Sequence, residues 1–175
     1  MQSVHFDAFE SENYPPLAES GIVIDYNTQA IRPLESSKKL INRNSLDNNV
    51  LILKLFPGIT QNVIDATLSI KGLKAVVLET YGSGNSPSEE WFMKSLQKAI
   101  KNGIIILNVS QCNGGRVIQG RYETSKELLN VGVISGTDMT TEAAVTKLMF
   151  LLGQETRQSE IIAKLKVPLA GEMSA

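Results

Sequence analysis

Apolar residues along this chain switch between two spacings, and the switch is sharpest across residues 73–100. Residues 73–80 form a short, β-branched apolar run, the pattern of a strand buried on both faces of a parallel sheet. Residues 81–85 are a glycine-bearing turn. Ser86, Pro87 and Glu89 fit a capping box, with the Ser hydroxyl accepting an orphan amide and the Glu returning to the cap amide, so the spacing predicts a helix starting at Ser86. Trp91, Phe92, Leu96, Ala99 and Ile100 then recur at helical spacing, and Asn102-Gly103 supplies a left-handed stop. The stretch is one strand, one turn and one helix.

The same alternation runs through the following chain. A strand is predicted over 50–56, a helix from about residue 60 to 70 closed by Lys71-Gly72, and a third strand over 103–109. Thr124 and Glu127 form a second capping box opening a short helix to Val131, and residues 132–135 make a shorter fourth strand. Thr140 caps a helix over 142–152 whose stripe is Ala144, Leu148, Leu151 and Leu152. A last helix over 157–165 ends before Pro168, and the tail LAGEMSA is predicted to fray. Strands separated by helices of this size require crossover connections, which predicts a doubly wound α/β fold with a four-stranded, mainly parallel sheet and helices on both faces. Ahead of it, residues 1–34 read as an appendage with two short extended arms at 22–27 and 29–34. Residues 35–49 are polar, asparagine-rich and aperiodic, a linker leading into a compact domain over 50–175.

Composition narrows the function classes. A chain of 175 residues with 42% hydrophobic content supports one core of about 130 residues plus the appendage. A formal net charge of -1 gives no electrostatic reason to expect nucleic acid or an anionic membrane as partner. With one Cys and one His, neither an intrachain disulfide nor a clustered Cys/His metal site is available, and a reducing cytoplasm is the natural setting. The first residues have neither the basic start nor the apolar core of a signal peptide, and no apolar run reaches the roughly 20 residues needed to span a bilayer.

Ligands of open parallel sheets bind beyond the carboxyl ends of the strands, where turns expose backbone amides. Three polar loops fall there. Gly82-Ser83-Gly84-Asn85 suits an anionic or amide ligand, or simply a tight turn between strand and helix. Ser110, Gln111, Cys112, Asn113, Gly114 and Gly115 suit a pocket wall, although a lone Cys in such a fold is commonly a small buried hydrophobe. As a nucleophile Cys112 lacks a base, because the only histidine is His5 in the appendage. Gly136, Thr137, Asp138, Met139, Thr140 and Thr141 open a helix, where Asp and Thr are ordinary capping residues. No Ser-His-Asp set, carboxylate pair, phosphate loop, metal motif or cofactor signature is visible.

Four segments, FDAFESENYPPLAESGI, LETYGSGNSP, ILNVSQCNGGRV and GVISGTDMTTEAAVTKLMFLLGQ, resemble in order the C-terminal half of bacterial type I L-asparaginase, the cytoplasmic form that hydrolyses L-asparagine to L-aspartate and ammonia. The resemblance covers nearly the whole chain. It implies that residues 1–34 end an N-terminal domain and that 35–49 link the two domains. The family's nucleophilic threonine, with a second threonine, an aspartate and a lysine, belongs to the N-terminal domain and has no counterpart here. No catalytic residue is therefore expected in this chain, which should be inactive alone. The implied partners are an N-terminal asparaginase domain, a homodimer or dimer of dimers, and L-asparagine. Asn85 is implied to complete a neighbouring subunit's active site, with Tyr122 or Glu123 near it. Ser110, Gln111, Cys112 and Thr141 match a second, effector site for asparagine. Glu79 stands where allosteric members carry an arginine that pairs with the ligand carboxylate, so it is expected to repel that group and to meet an ammonium group or a basic neighbour instead. Two alternatives remain: an autonomous amino-acid-binding module, and a structural half that pairs with a separate N-terminal half.

Overall fold

Two stretches of six residues, Ala75–Thr80 and Ile105–Ser110, are buried at every position, and the domain is built around them. The computed structural model describes residues 13–33, 39–118, 120, 123–155 and 157–174, the side chains of Glu123 and Thr124 excepted. In chain order the elements are β1 (Ala18–Ser20), β2 (Ile24–Tyr26), β3 (Val50–Lys54), α1 (Gln61–Leu68), β4 (Ala75–Thr80), α2 (Glu90–Lys101), β5 (Ile105–Ser110), α3 (Glu123–Val131), β6 (Ile134–Ser135), α4 (Thr141–Gln154) and α5 (Gln158–Leu165).

The chain divides into two units, residues 1–44 and 45–175. In the first, β1 and β2 form an antiparallel hairpin, earlier in the chain than the extended arms the sequence suggests. The Tyr14 hydroxyl donates to Ala30 O at 2.8 Å. Ile22, Val23, Ile24 and Tyr26 are all exposed, and none of this unit's described residues is buried.

The second unit carries the expected α/β architecture. Its four strands run parallel in the order β3-β4-β5-β6. Helices cover both faces as expected, yet the order contains no reversal. The helices between strands therefore share one face, where Ile64, Leu68, Phe92, Leu96 and Leu128 pack on Val76, Leu78 and Ile106. The opposite face is covered by the segment after the last strand: Ala144, Leu148, Leu151, Ile161 and Leu165 pack on Ala75, Val77, Ile105 and Leu107. Alternate residues of β4 and β5 thus point into different cores, which is why neither strand alternates with polar residues.

Local signals set most boundaries. Gly103, at φ +92°, closes α2 with Gly103 N donating to Ile100 O at 3.0 Å and Ile104 N to Ala99 O at 3.1 Å, the paired bonds of a Schellman motif. Gly132, at φ +99°, closes α3 the same way, through Leu129 and Leu128. Thr140 caps α4 by accepting from Ala143 N at 3.2 Å. The capping box at Ser86 does not form: α2 begins at Glu90, with no side-chain cap. Ser86 is 9% exposed, and its hydroxyl turns to Pro87 O at 3.4 Å, away from the amide it was expected to hold.

The unit's first residues pack rather than span. Asp47 accepts from Asn49 N at 2.9 Å and pairs with Lys74 at 2.6 Å. The Lys74 ammonium foremost, then the Asn49 amide, hold its carboxyl below the usual range. Ser45 O lies so close to Gly153 that a Cβ there would sit 2.3 Å away.

The tail is the main correction. Residues 168–174 dock instead of fraying, because Lys147 lies in the buried stripe of α4 at 5% exposure and needs a counter-charge. Its Nζ meets Glu172 Oε1 at 2.6 Å, Val167 O at 2.7 Å and Leu165 O at 3.3 Å. Burial works against the Glu172 carboxylate, but the Lys147 ammonium and the Leu169 and Ala170 amides outweigh it and lower its pKa to about 2. Since the folded value lies below the ordinary 4.5, this contribution is complete above pH 4.5 and is lost as the pH falls toward 2. Glu172→Gln is expected to lower unfolding free energy by about 3 kcal/mol at pH 7, the cost of stranding a buried charge. Urea titrations should show this deficit shrinking at pH 3.

Candidate functional site

Burial on both faces pushes most of the polar side chains of β4 and β5 toward their carboxyl ends. Glu79 is 8% exposed. Its Oε1 accepts from the Thr141 hydroxyl at 2.5 Å, and its Oε2 lies 3.5 Å from Lys54 Nζ. The basic neighbour anticipated for Glu79 is thus on β3, and α4 enters the site through its first residue. Lys54 is 64% exposed in its side chain, so water screens this ion pair and the Thr141 hydroxyl is the stronger restraint.

Gln111 stitches two strand ends together. Its Nε2 donates to Leu55 O at 2.7 Å and to Glu79 O at 2.9 Å, and its amide donates to Thr80 O at 2.9 Å. Both amide protons are spent on the main chain, so Gln111 fixes the backbone beneath Glu79. Ser110 ties β5 to the neighbouring turn: its hydroxyl donates to Gly82 O at 2.6 Å and accepts from Cys112 N at 3.0 Å. Cys112 is exposed, contrary to the usual burial of a lone thiol. Of the five effector candidates, Glu79, Gln111 and Thr141 converge, Ser110 binds the adjoining turn, and Cys112 lies on the surface beside it.

Asn85 sits on a turn shaped by two glycines. Tyr81 N donates to Asn85 O at 2.9 Å and Asn85 N to Tyr81 O at 2.8 Å, with Gly82 at φ +49° and Gly84 at φ +109°. A Cβ on Gly84 would press on Val117 at 3.0 Å. Under this turn lies Asn108, 0% exposed, which the sequence did not mark. The Thr80 hydroxyl reaches its Oδ1 at 2.6 Å, while its Nδ2 has no hydrogen-bond partner among the described residues. A polar residue amid the apolar run of β5 was the available signal. Tyr122 lies outside the described residues, and so does the side chain of Glu123.

The third loop is strained. Thr137 adopts φ +52°, a left-handed conformation that a β-branched residue resists. Its amide donates to Ser135 Oγ at 3.1 Å and its hydroxyl to Asp138 Oδ1 at 3.0 Å. Beyond β6, an apolar recess of about 390 Å³ is lined by Leu129, Val133, Ile134, Ile162 and Met173, with Lys166 on its wall. Among the described residues no cluster of metal-ligating side chains exists, and no helix is long and apolar enough to cross a membrane.

This arrangement and its sequence match one family. A family model of the Glutaminase/Asparaginase C-terminal domain matches residues 49–165. L-asparaginase 1 of Escherichia coli is 38% identical over 169 residues, covering 97% of this chain and 49% of the relative. The human 60 kDa lysophospholipase is 37% identical, with 97% of this chain and 29% of that protein covered. A glutamyl-tRNA(Gln) amidotransferase component from Methanobrevibacter smithii is 34% identical, with 99% and 39% covered. The solved structure of L-asparaginase I from Vibrio cholerae superposes with a TM-score of 0.89 at 36% identity, covering 99% of this chain and 53% of that one. The chain therefore belongs to the Glutaminase/Asparaginase C-terminal domain family. It spans about half the length of the Escherichia coli and Vibrio cholerae L-asparaginases and matches their C-terminal part.

Two substitutions test the geometry. Gly115→Ala places a Cβ 2.3 Å from Ser110 Oγ and should break the bond from Ser110 to Gly82, costing about 2 kcal/mol in denaturant unfolding. Thr141→Val removes the hydroxyl from a buried carboxylate and should cost about 2 kcal/mol by the same measurement.

Proposed function

We propose that this chain serves as the C-terminal domain of a cytoplasmic L-asparaginase-type amidohydrolase and has no hydrolytic activity alone. In this reading it pairs with an N-terminal asparaginase domain, supplies contacts for a homodimer or dimer of dimers, and presents Asn85 to a neighbouring active site where L-asparagine is bound. The carrying observation is the ordered match to L-asparaginase over nearly all of the chain, together with a turn whose glycines hold Asn85 in a fixed, half-buried position at the sheet's carboxyl edge. Relatives that share this half bear different names, among them a lysophospholipase and an amidotransferase component. That supports placing the reacting groups outside it.

The effector residues support a narrower reading. Glu79 engages Thr141 and Lys54, and its carboxylate opposes an incoming α-carboxylate. In this reading Glu79 weakens asparagine binding at Ser110, Gln111, Cys112 and Thr141, the candidate effector residues.

The purified chain should release no ammonia from L-asparagine above a buffer blank, and mixing it with the N-terminal half of a related L-asparaginase should restore release. Enzyme-like turnover by the chain alone sinks the proposal. In the mixed enzyme Asn85→Ala should lower kcat/KM about tenfold, the worth of one hydrogen bond to substrate. Millimolar L-asparagine should shift the thermal midpoint of the chain no more than the controls L-aspartate and L-glutamine. A rise specific to asparagine would show that the effector site still binds.

A further inference from the structure

Residues 168–174 form a strap with two anchors, one in the loop before α4 and one two turns into it. One anchor is Lys147, held by Glu172 at 2.6 Å and by Met173 Sδ at 3.3 Å. The other is Asp138, in the loop that leads into α4. Ser174 N donates to Asp138 Oδ1 at 2.8 Å, and the Ser174 hydroxyl donates to Asp138 Oδ2. Asp138 is 8% exposed. Burial raises its pKa, but the hydroxyl and amide of Ser174 and the hydroxyl of Thr137 outweigh that and leave it below the ordinary carboxylate range. The strap lies beyond residues 49–165, the part matched by the family model.

Between these anchors stand Thr140, the cap of α4, and Thr141, whose hydroxyl holds Glu79. The inner face of this helical segment is fixed by Ala144 and Leu148 in the core. Its approach runs through Thr137, whose φ of +52° is unfavourable and persists only where surrounding bonds over-determine it. Ser174 on Asp138 and Ser135 on the Thr137 amide provide those bonds. We propose that the strap, through Ser174 on Asp138 and Glu172 on Lys147, is a positioning element that sets Thr141 against Glu79 and so shapes the carboxyl-edge site from behind. The inference rests on the reading that Glu79 and Thr141 belong to a functional site, but it concerns their geometry whatever the site binds.

The test uses the full chain without ligand or partner, labelled with ¹³C at the Glu side-chain carboxyl carbons. Thr141→Val identifies the Glu79 signal by moving it and gives the reference for a lost Thr141 bond. Ser174→Ala and Glu172→Gln should each move that signal in the same direction at constant pH, and Ser174→Thr, which keeps the hydroxyl, should leave it in place. Ser95→Ala, which removes a 2.6 Å bond to Asp65 on the opposite face, serves as a control that lowers the thermal midpoint without moving Glu79. If the strap variants lower the midpoint yet leave Glu79 unmoved, the strap merely anchors the tail and the proposal is overturned. Should Glu172→Gln fail to fold, Ser174→Ala decides the matter. Because no asparagine or N-terminal half enters the experiment, its outcome and that of the catalytic proposal are separable.

Discussion

Burial of β4 and β5 on both faces constrains nearly everything else in the domain. A strand with a core on each side has no solvent face, so a polar side chain on it must be paired by neighbours. Glu79, Thr80 and Ser110 obey this, and Asn108 does so through its Oδ1 alone; the partners come from different parts of the chain: the start of α4, the adjoining strand and the turn after β4. The carboxyl edge is consequently a woven layer. Gln111 exemplifies it, spending its side-chain donors on the carbonyls of Leu55 and Glu79.

Such a layer suits the proposed role, in which the domain presents residues to another surface. Its turns are held by bonds within the domain, so little ordering remains when a partner arrives. The small hairpin unit at residues 1–44 contrasts sharply. Among its described residues Leu17, Ile22, Val23, Ile24, Tyr26 and Ile31 are exposed, and burying such side chains is what association with a partner surface accomplishes.

What the sequence disclosed and what it hid follow from the range of the interactions. Asn102-Gly103 and Thr140 act over a few residues, and both did what their chemistry dictates. The strands were legible because their apolar runs are long and uninterrupted. Ser86 misled because a buried environment redirected its hydroxyl, which no local pattern records. The docked tail was hidden for another reason. Lys147 falls at helical spacing within the stripe of Ala144, Leu148 and Leu151, a charge in a core position that demands a partner, but nothing local names Glu172 as that partner. The site divides the same way: the three loops could be placed at one edge from the strand pattern, whereas the bond from Thr141 to Glu79 joins residues 62 apart and emerges only from the fold. Asn108 is hidden in the sequence by the apolar run around it, and its bond to Thr80 on the adjoining strand emerges only from the fold.

The exposed thiol of Cys112 has a practical side. It is the chain's only cysteine, its amide is pinned by Ser110, and Ser110 in turn holds the turn that carries Asn85. A fluorophore or spin label attached there through a thioether would occupy one defined position, next to the loop layer and outside both cores. It would give a single-site probe of any surface that comes to rest on that edge.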